Sequence, residues 1–196
     1  MFKKNKYIII RKAIPKTLAE FVMEELFMRK TVLEAMQKNR LISPLDKTYG
    51  MLEGDTQVPG SYSVYADMAC ETLLVKLIPL IERKIKMKII PTYSYARIYL
   101  EGNELKKHTD RFACEISGTL ALGGETWPIF IGGKKINLKQ GDLLIYRGCE
   151  VEHWREPLKK GFCVQTFFHY NQEGFATGEQ QRFDGRPSLG IPQLEV

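Results

Sequence analysis

Histidine and cysteine, the usual ligands and nucleophiles, are both scarce here, with three and four copies in 196 residues. The cysteines Cys70, Cys114, Cys149 and Cys163 form no Cys-x-x-Cys pair, which argues against a thiolate zinc site and against a disulfide framework. They read instead as small hydrophobes in a reducing compartment. No apolar run approaches the roughly 20 residues that span a bilayer. The opening run Tyr7-Ile8-Ile9-Ile10 is too short for a signal-peptide core and is closed by Arg11-Lys12, so it reads as a first β-strand of a cytoplasmic protein. No repeat, low-complexity tract or Pro/Gly/Ser linker divides the chain, and residues 1–196 are expected to form a single domain. Charge excess is also missing from most of the sequence. The net +6 arises in residues 1–50, where 11 Lys and Arg face 5 Asp and Glu, while the remainder carries 18 of each sign. A solvated basic face accounts for that excess, and specific nucleic-acid binding is not expected.

What is present divides into two halves. Residues 1–87 read as a strand followed by helical support. A helix is predicted over 16–38 from Leu18, Phe21, Val22, Leu26, Leu33 and Met36 at spacings of three and four, and a second over 65–86 with Pro79 kinking it. Between them, residues 39–64 hold Pro44, Gly50, Gly54, Pro59 and Gly60 and read as a long loop, a natural substrate-facing lid. From residue 88 short β-like runs alternate with glycine turns, at 89–100, 116–122, 128–131, 135–138, 142–146 and 162–170. This predicts an α+β protein whose jelly-roll core, 88–170, is buttressed by the N-terminal helices. The tail 171–196 shows no periodicity.

Two of the three histidines fall in a His-x-Asp … His pattern: His108-Thr109-Asp110, then His153 after 45 residues. Two imidazoles and one carboxylate that leave coordination positions open are the ligand set of non-haem Fe(II) oxygenases. A chance His-x-Asp is expected about one time in ten at this composition, so the flanks have to carry the weight. Tyr99 stands nine residues before His108 with Gly102 in the intervening turn, and Gln140-Gly141-Asp142-Leu143-Leu144-Ile145-Tyr146 precedes His153. On these motifs residues 90–170 resemble the prolyl 4-hydroxylase-like branch of the 2-oxoglutarate- and Fe(II)-dependent dioxygenases.

That resemblance implies a double-stranded β-helix, with Fe(II) held by His108, Asp110 and His153 as metal ligands and catalytic residues. It implies 2-oxoglutarate and O₂ in the open positions, with oxidative decarboxylation to succinate and CO₂ coupled to hydroxylation of a substrate C–H. Among cosubstrate-binding residues it points to Tyr99, whose hydroxyl would reach a 2-oxoglutarate carboxylate, and to Thr119, on a strand where relatives place small hydroxyls. The relatives also carry a Lys or Arg about ten residues after the second His; here that position is Cys163, a departure. Arg155 and Lys160 are the alternatives, with the guanidinium offering the better fork for a carboxylate. The Gly123-Gly124-Glu125-Thr126 string is assigned no catalytic part, and His169 a structural one.

The expected function is thus hydroxylation by a 2-oxoglutarate-dependent dioxygenase. The flanks favour a peptide or protein substrate, at a prolyl residue in the nearest analogy, and a small-molecule substrate stays open. Two rivals belong to other classes: a cupin-like metal enzyme that does not use 2-oxoglutarate, and a catalytically silent jelly-roll binding module.

Overall fold

The computed structural model describes residues 2–174 and 176–192. The chain opens with a short helix α1 (Phe2–Asn5) and strand β1 (Tyr7–Ile10), then the long helix α2 (Lys16–Lys38). Strand β2 (Tyr62–Tyr65) precedes helices α3 (Met68–Lys76) and α4 (Ile78–Ile85). The β-rich half comes next as β3 (Ile89–Leu100), β4 (Leu105–His108), β5 (Ile116–Gly124), β6 (Ile129–Ile131), β7 (Lys134–Ile136), β8 (Leu143–Arg147), β9 (His153–Arg155) and β10 (Phe162–Gln172). A short helix α5 (Ala176–Gln180) lies in the tail. Two antiparallel sheets result, one of six strands in the order β1-β8-β5-β10-β3-β2 and one of four in the order β4-β9-β6-β7. The expected α+β jelly roll is the observed architecture.

The six-stranded sheet is buried on both faces, and the period-2 alternation of its strands sorts side chains between two compartments. Ala96 and Ile98 of β3, Ile116, Leu120 and Leu122 of β5, Leu143 and Ile145 of β8, and Val164 and Phe168 of β10 join α2, α3 and α4 in the main apolar core. The alternate residues of the same strands face the four-stranded sheet. There, Ala121, Ile129, Ile131, Leu144 and Tyr146 form one apolar cluster, and Tyr99, Leu105, Trp127, Leu158 and Cys163 a second. The polar residues of the barrel interior lie with this second set of parities.

Several predicted boundaries are corrected. Residues 2–5 form a helical turn before the first strand. The predicted helix over 65–86 is two helices: Asp67 caps α3 by accepting from the Cys70 N–H (3.0 Å), and Pro79 sits in the first turn of α4, where its missing donor costs nothing. The 39–64 loop ends in β2, which pairs with β3. Helix α2 buries Ala19, Val22, Leu26 and Leu33, while Leu18 and Phe21 of the predicted stripe are exposed. The strands β4 and β9 are too short to register as runs in the sequence, yet they carry the two histidines.

The Gly141-Asp142 turn has a structural part. The Asp142 carboxylate accepts from the Lys12 N–H (2.9 Å), the Lys139 N–H (2.9 Å) and the Arg11 guanidinium (2.6 Å), tying the edge strand to β8. The tail is anchored too. Arg186 pairs with the buried Glu71 (3.1 Å), which also accepts from the Ser94 N–H (3.0 Å) on β3. No helix among the described residues is long and apolar enough to cross a membrane.

Leu26 is fully buried between α2 and the sheet, so Leu26→Ala should cost about 2–5 kcal/mol. Phe21→Ser, on the exposed face of the same helix, should stay within about 0.5 kcal/mol. Urea-unfolding midpoints of the two variants check this.

Candidate functional site

Strand β4 ends on His108 and β9 begins on His153, and the two residues face each other in register across the four-stranded sheet. Their ring centroids lie 4.2 Å apart. Asp110, in the turn after β4, places Oδ1 3.6 Å from His108 Nε2 and 3.3 Å from His153 Nε2. One ligand atom from each of the three lies within 4.8 Å of the others, a grouping able to hold a metal ion. Both tautomers are fixed by the backbone. His108 Nδ1 meets the Lys106 carbonyl (2.8 Å) and His153 Nδ1 the Val151 carbonyl (3.0 Å). A carbonyl only accepts, so each Nδ1 carries a proton; in the neutral ring Nε2 turns its lone pair toward Asp110, and in the imidazolium it donates to that carboxylate.

Asp110 is held on its other side by a relay. Its backbone N–H donates to the Gly148 carbonyl (2.9 Å), and the Ser117 hydroxyl donates to Oδ2 (2.5 Å). With that proton committed, His169 Nδ1–H donates to Ser117 Oγ at 3.1 Å. Gly148 makes room: a Cβ there would lie 2.6 Å or less from Asp110 Oδ2, the Cys114 carbonyl and Ser117 Oγ. Burial opposes ionisation of Asp110, but the hydrogen bonds from the two imidazoles outweigh it and hold the carboxyl far below its usual range. Burial likewise opposes the charge on His108, and the Asp110 carboxylate overcomes it, so its pKa is raised. His169 has no carboxylate in hydrogen-bond contact, and burial dominates, pushing its pKa down to about 4. It is therefore a neutral donor at pH 7 and lines the cavity, beyond the purely structural part expected of it.

The cluster opens into a cavity of about 320 Å³ whose walls include Tyr93, Tyr95, Arg97, Tyr99, Tyr146 and Phe167. Tyr99 is on the interior face of β3, buried edge-on against Trp127 (4.8 Å). Thr119 is also inward and buried, its hydroxyl donating to Gln165 Oε1 (3.1 Å). Arg155 is 2% exposed, two residues beyond His153 on the same face of β9. It stands one layer behind the cavity lining, over the Trp127 ring (4.9 Å), with one nitrogen donating to the Trp127 carbonyl. Its Nε and Nη2 have no hydrogen-bond partner. It shares the Trp127 ring with Tyr99, and both aromatics belong to the apolar cluster that holds Cys163, the position where a cation from β10 was expected. Lys160 is not brought to the cluster; it is exposed and lines a separate pocket with Glu125, Glu156 and Pro157. Trp154 points outward, stacked on Phe130 (5.1 Å).

Neither a family model nor a curated protein matches the chain. Solved structures do. A prolyl-4-hydroxylase from Pseudomonas putida aligns at TM-score 0.61 and 15% identity, covering 88% of this chain and 96% of that one. HygX from Streptomyces hygroscopicus, with nickel and 2-oxoglutarate bound, aligns at TM-score 0.63 and 12% identity over 89% and 85% of the two chains. The chain has the fold of the 2-oxoglutarate–Fe(II) oxygenases. A prolyl hydroxylase from Trichoplax adhaerens in complex with a hypoxia-inducible-factor peptide shares that fold at TM-score 0.60 and 13% identity, over 92% of this chain and 87% of that one. Such neighbours bind substrates as different as that peptide and, in HygX, hygromycin B.

Sequence reading missed Arg97, Ser117, Gly148 and His169 as members of the site. Parity could have found two of them: Arg97 is two residues before Tyr99, and Ser117 two before Thr119, each on the interior face of its strand. Asp55 and Gln57 were missed too. They reach the cavity from the 39–61 loop, Asp55 onto Arg97 (2.8 Å) and the Gln57 amide onto His108 Nε2 (3.0 Å), and nothing in their local sequence announces it.

Removing the relay should loosen the carboxylate without unfolding the barrel. Ser117→Ala is expected to weaken Co(II) affinity about 10–100-fold, and Gly148→Ala to abolish it, by calorimetric titration. His169 makes a pH prediction. Its pKa in the fold lies below that of the unfolded chain, so its contribution is fully present above pH 6.5 and is lost as pH falls through about 4. His169→Gln should therefore flatten the decline in metal-free stability between pH 6.5 and 4. Comparing the two proteins cancels the opposite contribution of His108.

Proposed function

We propose that this protein is an Fe(II)- and 2-oxoglutarate-dependent oxygenase that hydroxylates a substrate C–H. The observation that carries the reading is the convergence of His108 Nε2, His153 Nε2 and Asp110 Oδ1 on one point beside a cavity. The donor set suits the metal: two neutral imidazoles with fixed tautomers and a carboxylate with one free oxygen leave part of the coordination sphere open. Such a metal supplies, when bound, the redox chemistry by which O₂ decarboxylates 2-oxoglutarate to succinate and CO₂ and oxidises the substrate.

The chain's own residues do the rest. The Lys106 and Val151 carbonyls orient the imidazoles, and Ser117 occupies Asp110 Oδ2, so that Oδ1 would be the oxygen left for a metal. Arg155 is assigned to the distal carboxylate of 2-oxoglutarate. It is a buried cation with two unfilled donor nitrogens beside Tyr99, and a carboxylate would satisfy both. On that assignment the cation comes from β9, in place of the residue expected on β10 at Cys163. Tyr99 and Thr119 border the same region. The prolyl hydroxylases among the structural neighbours favour a peptide or protein substrate, at proline in the nearest analogy.

Anaerobically iron-loaded protein given 2-oxoglutarate and then O₂ should form succinate, and His153→Ala should form none. Arg155→Leu should raise the Kd for 2-oxoglutarate about tenfold or more while leaving metal affinity intact. Metal binding with no affinity for 2-oxoglutarate would overturn the reading in favour of a cupin-like role.

A further inference from the structure

Two arginines line the cavity, and each is clasped by an aspartate that does not belong to the barrel. Arg97 donates to both oxygens of Asp55 (2.8 and 3.2 Å), and the Tyr95 hydroxyl donates to Asp55 Oδ2 (2.8 Å). Arg111 donates to both oxygens of Asp184 (2.8 Å each), and the Tyr65 hydroxyl donates to Asp184 Oδ2 (2.8 Å). The two clasps share a guanidinium and a phenol on one carboxylate, but Arg97 uses both Nη1 and Nη2 as a fork where Arg111 uses Nη2 alone. Their settings differ. Asp184 lies in a tail turn anchored through Arg186 to the buried Glu71. Asp55 lies in the 39–61 loop, and its Oδ1 also accepts from the N–H groups of Gln57 (3.0 Å) and Val58 (2.9 Å). The Asp55 carboxylate and the Gln57 residue thus belong to one small turn.

If the protein is the metal-dependent oxygenase proposed above, that turn stands in conflict with its metal site. The Gln57 amide donates to His108 Nε2, whose single lone pair is also the one a metal needs. When His108 takes a metal, Gln57 has to leave, and the turn that carries the Asp55 carboxylate shifts with it. Arg97 is 2% exposed and its Nε already lacks a partner. A buried guanidinium stripped of its carboxylate is strongly disfavoured unless another anion takes the place.

We propose that Arg97 and Tyr95 form the binding site for a carboxylate of the substrate, and that Asp55 fills it while the metal site is empty. The substrate class is then a carboxylic acid, free or as a chain terminus, with an apolar body. The acid group lies on Arg97, and the body lies against Tyr93 and Phe167, which share the cavity wall with the histidines. A single fork and one phenol suit a planar monoanion. The cosubstrate has its own cation in Arg155, so the two carboxylate sites do not compete.

The test is reactivity of Arg97 toward phenylglyoxal, mapped by mass spectrometry, with Ni(II) and 2-oxoglutarate binding measured first by calorimetry. In the metal-free protein Arg97 should be protected. In the Ni(II)- and 2-oxoglutarate-loaded protein it should react at least tenfold faster. Phenylacetate and acetyl-Ala-Phe with a free C-terminus should restore protection, while their primary amides should not. The acid that protects at lower concentration distinguishes a free acid from a chain terminus. Asp55→Asn should expose Arg97 without metal, and the same acids should protect it there. The proposal is overturned if Arg97 stays protected in the loaded protein, if acids and amides protect alike, or if 2-oxoglutarate alone protects Arg97 in the Asp55→Asn variant. Failure of Ni(II) and 2-oxoglutarate to bind would instead sink the oxygenase reading, and the metal-free Asp55→Asn arm would still decide the carboxylate site.

Discussion

A single buried carboxylate organises this molecule's polar interior. Asp110 sits where an unpartnered charge would be prohibitive: Ser117 donates to Oδ2, and Oδ1 faces the Nε2 atoms of His108 and His153. Meeting that demand draws on five separate stretches of chain. The end of β4 and the turn after it supply His108 and the carboxylate, β5 the serine, the turn after β8 the space at Gly148, β9 His153, and β10 His169 behind the serine. Each stretch is fixed in turn by the sheet that carries it, which is why a jelly roll with little regular helix in its core can hold three ligand atoms in one arrangement.

The range of each interaction decides how much of it the sequence discloses. The His108-Thr109-Asp110 spacing is local, so two members of the candidate ligand set can be read directly. The alternation in Tyr95-Ala96-Arg97-Ile98-Tyr99 is local as well, and it contains Arg97 for a reader who counts parity. The helix boundary at 76/78 and the strand at Tyr62–Tyr65 are not legible, because a four-residue strand is defined by its partner β3 rather than by its own composition. The placement of the cation is underdetermined for the same reason. Arg155 and Lys160 are five residues apart, and only the inward face of β9 separates a buried fork from a solvated surface lysine. The loop contacts of Asp55 and Gln57 depend wholly on tertiary closure.

The electrostatics of the cavity share one pattern. The charged groups in and behind its wall differ in burial, and their partners differ in permanence. Asp110 is bound to the rigid barrel. Arg111 and Arg97 are bound to segments outside it, and Arg155, one layer behind the wall, has no carboxylate at all. A gradient from fixed to replaceable counter-ions therefore runs through the site, and the replaceable end is the one that incoming anions would meet.

The two-sided burial of the six-stranded sheet has one more consequence. Because neighbouring residues on β3, β5 and β10 serve different compartments, the positions that shape the cavity and those that hold the helices are interleaved but face apart. A lineage, or an engineer, can rewrite Tyr95, Arg97, Phe167 and His169 as a vocabulary while leaving Ala96, Ile98, Val164 and Phe168 as grammar. One scaffold can thereby change what it recognises many times over without renegotiating how it folds.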